Sequence, residues 1–337
     1  MNEHAPRQLR VKEVVRETSD AHTLVFDGPC PDYRPGQFLT LRIPSEQSPT
    51  ARCYSLSSAP QVDELLRVTV KRTPGGYGSN WVCDTVVAGT VLDVLPPAGH
   101  FTPRDLSADL LLCAAGSGIT PVMSILKSAL AQAGGHLVLL YANRDEASVI
   151  FAGQLAELAA QHPDRLVVLH WLESVQGLPS VAQLRELLRP YAGREAFLCG
   201  PAPFMAAVST GLDQLAVPRS QVHLEKFVSL TGDPWQPIAE VVTTDEATST
   251  VEVTLEGQQH QLPWPAERVL LDVLLDAGLD APYSCRQGNC SACACQLVDG
   301  EVRLLENNVL EQQDLDEGWI LACQSVPLTP IVTVSYT

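Results

Sequence analysis

Four cysteines limit what the C-terminal third of this chain can fold into. Cys285, Cys290 and Cys293 stand as CxxxxCxxC within PYSCRQGNCSAC, and Cys323 follows 29 intervening residues later in ILACQS. Four thiolates converging on one inorganic group from one side need a tight loop for three and a returning segment for the fourth; this is the spacing of plant-type [2Fe-2S] ligation. Gly288 gives the loop backbone freedom, and small Ser284, Ser291 and Ala292 let backbone amides approach the sulfurs. A structural zinc site is the alternative, but zinc normally takes its cysteines as two short pairs. Cys295, two residues past Cys293, is one cysteine more than the four-thiolate pattern needs and reads as a packed thiol. Ten cysteines in 337 residues are too few for a disulfide scaffold, so the cluster points to metal in a reducing compartment.

Charge marks the same region. The chain carries 39 acidic and 22 basic residues, a net charge of -17. Residues 238–337 hold 16 Asp or Glu against Arg268, Arg286 and Arg303, which is -13 of that total. Such acidity repels phosphate backbones and anionic bilayers, so neither nucleic acid nor membrane is an expected partner. The N-terminus MNEHAPRQLRVKEVV has no apolar signal run, and no uncharged apolar stretch reaches the roughly 18 residues of a membrane span. A cytoplasmic protein is expected. Two prolines and a glycine in TGDPWQP, residues 231–237, mark a connector before the acidic region.

The periodicity divides the rest. Residues 9–100 show short alternating runs such as Leu65–Lys71 and Thr90–Leu95 between Gly and Pro clusters, the pattern of a small antiparallel barrel. From Asp109, apolar runs at Leu110–Ala114, Leu137–Tyr141, Leu166–His170 and Ala196–Cys199 alternate with helical lengths, as in a buried parallel sheet. The last third has strand-like Val251–Leu255, amphipathic Val269–Ala277 and the cysteine loop, a compact α+β unit. The expected division is 1–104, 105–229, a linker at 230–244, and 245–337.

Three strings carry chemistry in the first two units. Arg52-Cys53-Tyr54-Ser55 offers a cation, an aromatic wall and a hydroxyl along one strand, the residue types a flavin needs; a solvated Arg beside a packed Tyr is the plain alternative. Downstream, PGGYGSN leads into a helix expected from Trp81, and Gly76, Gly78 and Ser79 form an anion nest or a simple hairpin turn. Gly116-Ser117-Gly118-Ile119-Thr120-Pro121 follows a strand and opens a helix, so its glycines let phosphate reach backbone amides; alone it reads equally as a structural turn. Cys199-Gly200-Pro201 ends the last apolar run, where a cysteine is usually just buried.

Taken together, these strings resemble the ferredoxin-NADP reductase superfamily followed by a plant-type ferredoxin, over essentially the whole chain. The order of domains is similar to the reductase components of 3-ketosteroid 9α-hydroxylases and, more distantly, to the reductase subunit of phenylacetyl-CoA epoxidase. The resemblance implies a flavin barrel, an α/β nicotinamide domain and a β-grasp ferredoxin domain. It places Arg52 on the flavin phosphates, Tyr54 against the ring, Ser55 near N5, and Gly76, Gly78 and Ser79 on a pyrophosphate. It places Gly116, Gly118 and Thr120 on the dinucleotide, and Cys199, Gly200 and Pro201 beside the nicotinamide. Phe227 in VHLEKF would shield the flavin face, with core packing as the alternative, while His223 reads as a structural strand histidine. The pyrophosphate contact favours FAD, though some such relatives use FMN. After Tyr141, Arg144 would meet a 2′-phosphate, whereas Asp145 or Glu146 would accept from a free ribose hydroxyl; the acidic pair favours NADH.

The implied activity is a two-to-one electron converter, carrying a hydride's two electrons from NADH through FAD to a [2Fe-2S] cluster near about -400 mV, and then to an oxygenase component. A Rieske-type steroid or aromatic-ring hydroxylase is the expected acceptor. A di-iron epoxidase or a stress-response cluster protein is the alternative, and a non-catalytic module with vestigial sites is a third reading that the intact strings oppose.

Overall fold

The computed structural model describes residues 6–28, 31–45, 49–230, 234–235, 248–255 and 257–336, and three sheets follow one another along it. The first contains β1 (Arg7–Arg16), β2 (Ala21–Phe26), β3 (Phe38–Ile43), β4 (Thr50–Ser55), β5 (Arg67–Lys71) and β6 (Val91–Ala98), antiparallel in the order β4-β3-β6-β1-β2-β5. Its edges meet where Leu56 bridges Val68 and the Ser57 amide donates to the Arg67 carbonyl at 2.8 Å, so the sheet curls into a barrel. Side-chain alternation sends Leu39, Leu41 and Ile43 of β3 into the barrel core. The other face of β3 and β4 carries Phe38, Thr40, Ala51, Cys53 and Ser55, of which only Cys53 is more than slightly exposed. A barrel wall facing water would be polar there; this one is covered by the third domain. Helix α1 (Tyr77–Thr85) starts four residues before Trp81, so Gly78 and Ser79 sit in its first turn and not in the loop expected from their composition.

The second sheet is parallel throughout: β7 (Leu110–Ala115), β8 (Leu137–Asn143), β9 (Leu166–Leu172), β10 (Glu195–Cys199) and β11 (Val222–Glu225), ordered β11-β10-β7-β8-β9. Leu110 and Leu112 pack under α2 (Ile119–Ala131) and α3 (Ala152–Gln161), while Leu111 and Cys113 pack under α5 (Val181–Leu188) and α6 (Ala202–Asp213); a one-turn α4 (Glu173–Gln176) follows β9. Burial on both faces explains the continuous apolar runs. Strand order reverses between β7 and β10, which opens a crevice at their carboxyl ends.

The third sheet is mixed: β12 (Thr248–Leu255), β13 (Gln258–Pro265), β14 (Ala294–Asp299), β16 (Trp319–Leu321) and β18 (Ile331–Ser335), ordered β13-β12-β18-β14-β16, with β12 and β18 parallel. A short ladder joins β15 (Val302–Leu304) to β17 (Ser325–Pro327); α7 (Leu270–Asp276) packs into the core and α8 (Gln312–Asp316) precedes β16. Of the linker expected at 230–244, only Leu230, Pro234 and Trp235 are among the described residues. No helix among the described residues is long and apolar enough to cross a membrane.

Trp264 is fully buried in the third core and its Nε1 donates to the Arg268 carbonyl at 2.7 Å. Trp264→Ala is expected to cost about 3–5 kcal/mol through the cavity and the orphaned carbonyl. Urea unfolding of this domain checks it, and a loss below about 1 kcal/mol contradicts the packing described.

Candidate redox site

The cysteine loop is a wrapped turn. Gly288 has φ +69°, and a Cβ there would meet the Glu306 carbonyl oxygen at 2.7 Å, so the loop backbone lies directly on the segment following β15. Cys285, Cys293 and Cys323 are almost fully buried, and Cys290 is half-buried. The Gln287 and Asn289 amides each reach Cys285 Sγ at 3.3 Å. The Cys285 amide reaches Cys290 Sγ at 3.3 Å, and the Cys323 amide reaches Cys293 Sγ at 3.4 Å. Hydrogen bonds from Cys290 and then Cys323 hold the Cys285 thiol far down, while their bond to Cys285 drives Cys290 and Cys323 up. Donors aimed at sulfur are what a buried anionic thiolate set requires. Among the described residues no trio of His, Cys, Asp or Glu surrounds one ion position. A two-iron cluster takes two thiolates per iron, so the donor set fits it without such a trio. Cys295 is fully buried in the core beside Tyr336, away from this role.

Three domains line one cleft beside the loop. Phe38, Cys53 and Ser55 come from the barrel, Glu225, Lys226, Phe227 and Val228 from the end of β11, and Asn289 and Cys290 from the cysteine loop. Ser55 is 3% exposed, yet its Oγ has no partner among the described residues. A buried hydroxyl of that kind fits a polar edge of a bound flavin ring. Phe227 is 48% exposed over this cleft. Burial pushes Glu225 up to about 8.

Arg52 and Tyr54 alternate to the opposite side of β4, towards α1. A Cβ on Gly78 would come within 2.8 Å of Arg52 Cγ, so Gly78 makes room for the guanidinium stem. Arg52 donates to Thr50 Oγ1 at 2.8 Å and to the carbonyls of Ala51 and Leu230, both at 2.7 Å. Gly76 is the N-cap of α1 and offers no side-chain cap, which leaves its first amides open to an anion; Ser79 Oγ accepts from the Thr73 amide at 3.0 Å.

At the crevice between β7 and β10 the two loops touch backbone to backbone. Gly116 adopts φ +53° and its carbonyl accepts from Tyr141 at 3.0 Å; Thr120 Oγ1 donates to the Ser117 carbonyl at 3.1 Å. A Cβ on Gly118 would lie 2.0 Å from the Cys199 carbonyl oxygen, and one on Gly200 would lie 2.9 Å from Ala115 Cβ. Cys199 is fully buried, with its thiol pushed up by burial, and Pro201 caps α6. Asp145 is committed locally, accepting from the Ser148 amide at 2.9 Å, while Glu146 is exposed. Arg144 pairs with Asp20 of the barrel at 3.3 Å, and Asp20 also holds Lys71 at 3.8 Å. Lys71 Nζ lies 3.8 Å from the position of a Gly116 Cβ. His223 bonds Glu195 at 2.7 Å and stacks on Phe197. Sequence reasoning misses Asp20, Lys71 and Glu225, because their positions depend on contacts between domains.

Family models agree with this layout: an oxidoreductase FAD-binding domain over residues 8–102, an oxidoreductase NAD-binding domain over 112–210 and a 2Fe-2S iron-sulfur cluster binding domain over 253–328. The chain is 56% identical over 341 residues to the 3-ketosteroid-9-alpha-monooxygenase ferredoxin reductase component of Mycobacterium tuberculosis, spanning 98% of this chain and 95% of that protein. The chain belongs to this family of flavin and iron-sulfur oxidoreductases. A 1,2-phenylacetyl-CoA epoxidase subunit from Escherichia coli is 32% identical, over 97% of each chain. Phthalate dioxygenase reductase shares the fold at 23% identity with a TM-score of 0.61, over 98% of each chain. Full-length CYP116B46 from Tepidiphilus thermophilus superposes at a TM-score of 0.70 and 26% identity, with this reductase spanning 42% of that longer chain.

Two substitutions probe the reductase here. Gly118→Ala drives a methyl into the Cys199 carbonyl, so weaker dinucleotide binding and a lower thermal midpoint are expected; wild-type values in both would contradict the close approach. The raised Glu225 pKa means the folded state holds its proton more tightly than the unfolded chain, where the ordinary value is 4.5. That stabilisation is complete below about pH 4.5 and lost as pH rises towards 8. The thermal midpoint should therefore fall more between pH 5 and 8 in the wild type than in Glu225→Gln, as calorimetry can read.

Proposed function

We propose that this reductase draws electrons from NADH and delivers them singly to an oxygenase component, a Rieske-type hydroxylase acting on a steroid or an aromatic ring. The observation that carries the reading is the shared cleft, where Ser55, Phe227 and Cys290 of three different domains face one another. Identity of 56% to a steroid monooxygenase reductase component supports the acceptor class. The relative named for an epoxidase, at 32%, supports an epoxidase as acceptor in the second reading.

Bound FAD would take up the hydride as two electrons, and the cluster would pass them on one at a time. The chain's own residues bind and orient. Arg52 and the first turn of α1, through Gly76, Gly78 and Ser79, would hold the flavin phosphates, with Tyr54 and the unpartnered Ser55 hydroxyl holding the ring. Gly116, Gly118 and Thr120 admit the dinucleotide phosphates, with Lys71 as an added cation. Cys199, Gly200 and Pro201 would floor the nicotinamide pocket, and Phe227, exposed over the cleft, would shield the flavin. Cys285, Cys290, Cys293 and Cys323 hold the irons. Glu146 accepts from the ribose hydroxyl, while the Asp20 pairing draws Arg144 away from a 2′-phosphate, which favours NADH over NADPH. Domain bounds of 1–104, 105–229 and 245–337, joined by 230–244, go with these roles. Nine unbridged cysteines among the described residues suit the reducing cytoplasm.

Anaerobic NADH is expected to bleach flavin and cluster absorption in turn. In Cys323→Ser, flavin bleaching should survive while reduction of a protein acceptor stops; loss of both together would defeat the division of roles.

A further inference from the structure

The contact between the barrel and the cysteine loop has a polar centre in an apolar surround. Thr40 of β3 and Cys53 of β4 are cross-strand partners, so their side chains share the outer face of the wall. Thr40 Oγ1 lies 2.5 Å from Ser284 Oγ, and both residues are essentially without exposure. Cys53 Sγ completes the group, 3.4 Å from Thr40 Oγ1 and 3.8 Å from Ser284 Oγ. Around the trio, Phe38, Ala98 and Ala292 close one side, and Ala51, Leu230 and Cys285 the other. Ser284 immediately precedes the ligand Cys285, and Cys53 lines the cleft between Ser55 and Cys290.

The second and third domains meet through Glu311, paired with Arg219 and with Lys226 at 3.3 Å. Those side chains are about 40% exposed, so salt and entropy weaken them. The buried trio joins β3 and β4 to the residue that precedes Cys285, and His100 after β6 bonds the Ser291 backbone nearby.

We propose that Thr40 and Ser284, with the Cys53 thiol beside them, fasten the cluster loop to the outer wall of the flavin barrel and so govern how fast electrons cross from flavin to cluster. These are positioning residues. Each crossing moves one electron from reduced flavin to oxidised cluster; no bond forms or breaks on the three side chains, and no proton leaves them. The proposal rests on the relay put forward above.

The test uses holoprotein carrying Thr40→Val, Ser284→Ala or Thr40→Ser. Leaving one buried hydroxyl without its partner should lower deuterium-exchange protection of amides 284–291 by roughly 5- to 150-fold. In anaerobic rapid mixing with NADH, Thr40→Val and Ser284→Ala should bleach the flavin at the wild-type rate and the cluster more slowly. Thr40→Ser, which keeps the hydroxyl, should restore protection and rate together. Wild-type cluster bleaching in Thr40→Val and Ser284→Ala would overturn the proposal, as would equal slowing of both steps. Failure of NADH to bleach either chromophore in the wild type would instead defeat the relay on which it rests.

Discussion

Each redox position in this molecule depends on backbones that come closer together than ordinary side chains permit. Gly118 lies against the Cys199 carbonyl and Gly288 against that of Glu306, while Gly78 makes room for a side chain, the stem of Arg52. The same rule governs the barrel wall, where Ala51, Cys53 and Ala98 are small enough for the third domain to settle on it. Close approach exposes amides to sulfur and phosphate and shortens the path between one bound group and the next. The cost is intolerance of substitution, since a methyl at 2.0 Å from a carbonyl oxygen has nowhere to go.

Electrostatics divides by depth. Among the described residues, the carboxylates of the C-terminal third are all exposed or half-buried, where a solvated carboxylate costs little and repels anions. Around the cleft, charge is handled singly: amide donors point at Cys285 Sγ, whereas half-buried Glu225, shifted by desolvation, holds its proton to about pH 8. The surface pairs of Glu311 are worth about 0–1 kcal/mol each, so the seating of one domain on another rests on buried contacts.

What the sequence discloses is local. The cysteine spacing, the strand-loop-helix strings at Gly116 and Cys199, and the apolar runs of the parallel sheet are patterns within a few dozen residues, and the elements lie within a few residues of the expected positions. Composition puts the start of helix α1 too late because Gly78 and Ser79 are loop-like residues, yet Arg52, distant in sequence, needs that small first turn. Asp145 has the chemistry of a ribose acceptor but serves the turn that follows it. Thr40 and Ser284 are 244 residues apart, and neither strand alternation nor spacing links one to the other. Contacts of that kind become visible only once the three domains are assembled.

The segment entering the third domain is itself anchored. Arg52 grips the Leu230 carbonyl, and Arg42 stacks over Trp235 at 5.7 Å. A domain tethered in this way meets its electron donor at an effective concentration in the millimolar range, whatever the protein's own abundance. Dilution separates two-protein systems but leaves this pair together, so in a sparse cell the scarce encounters are those with coenzyme and with the final recipient.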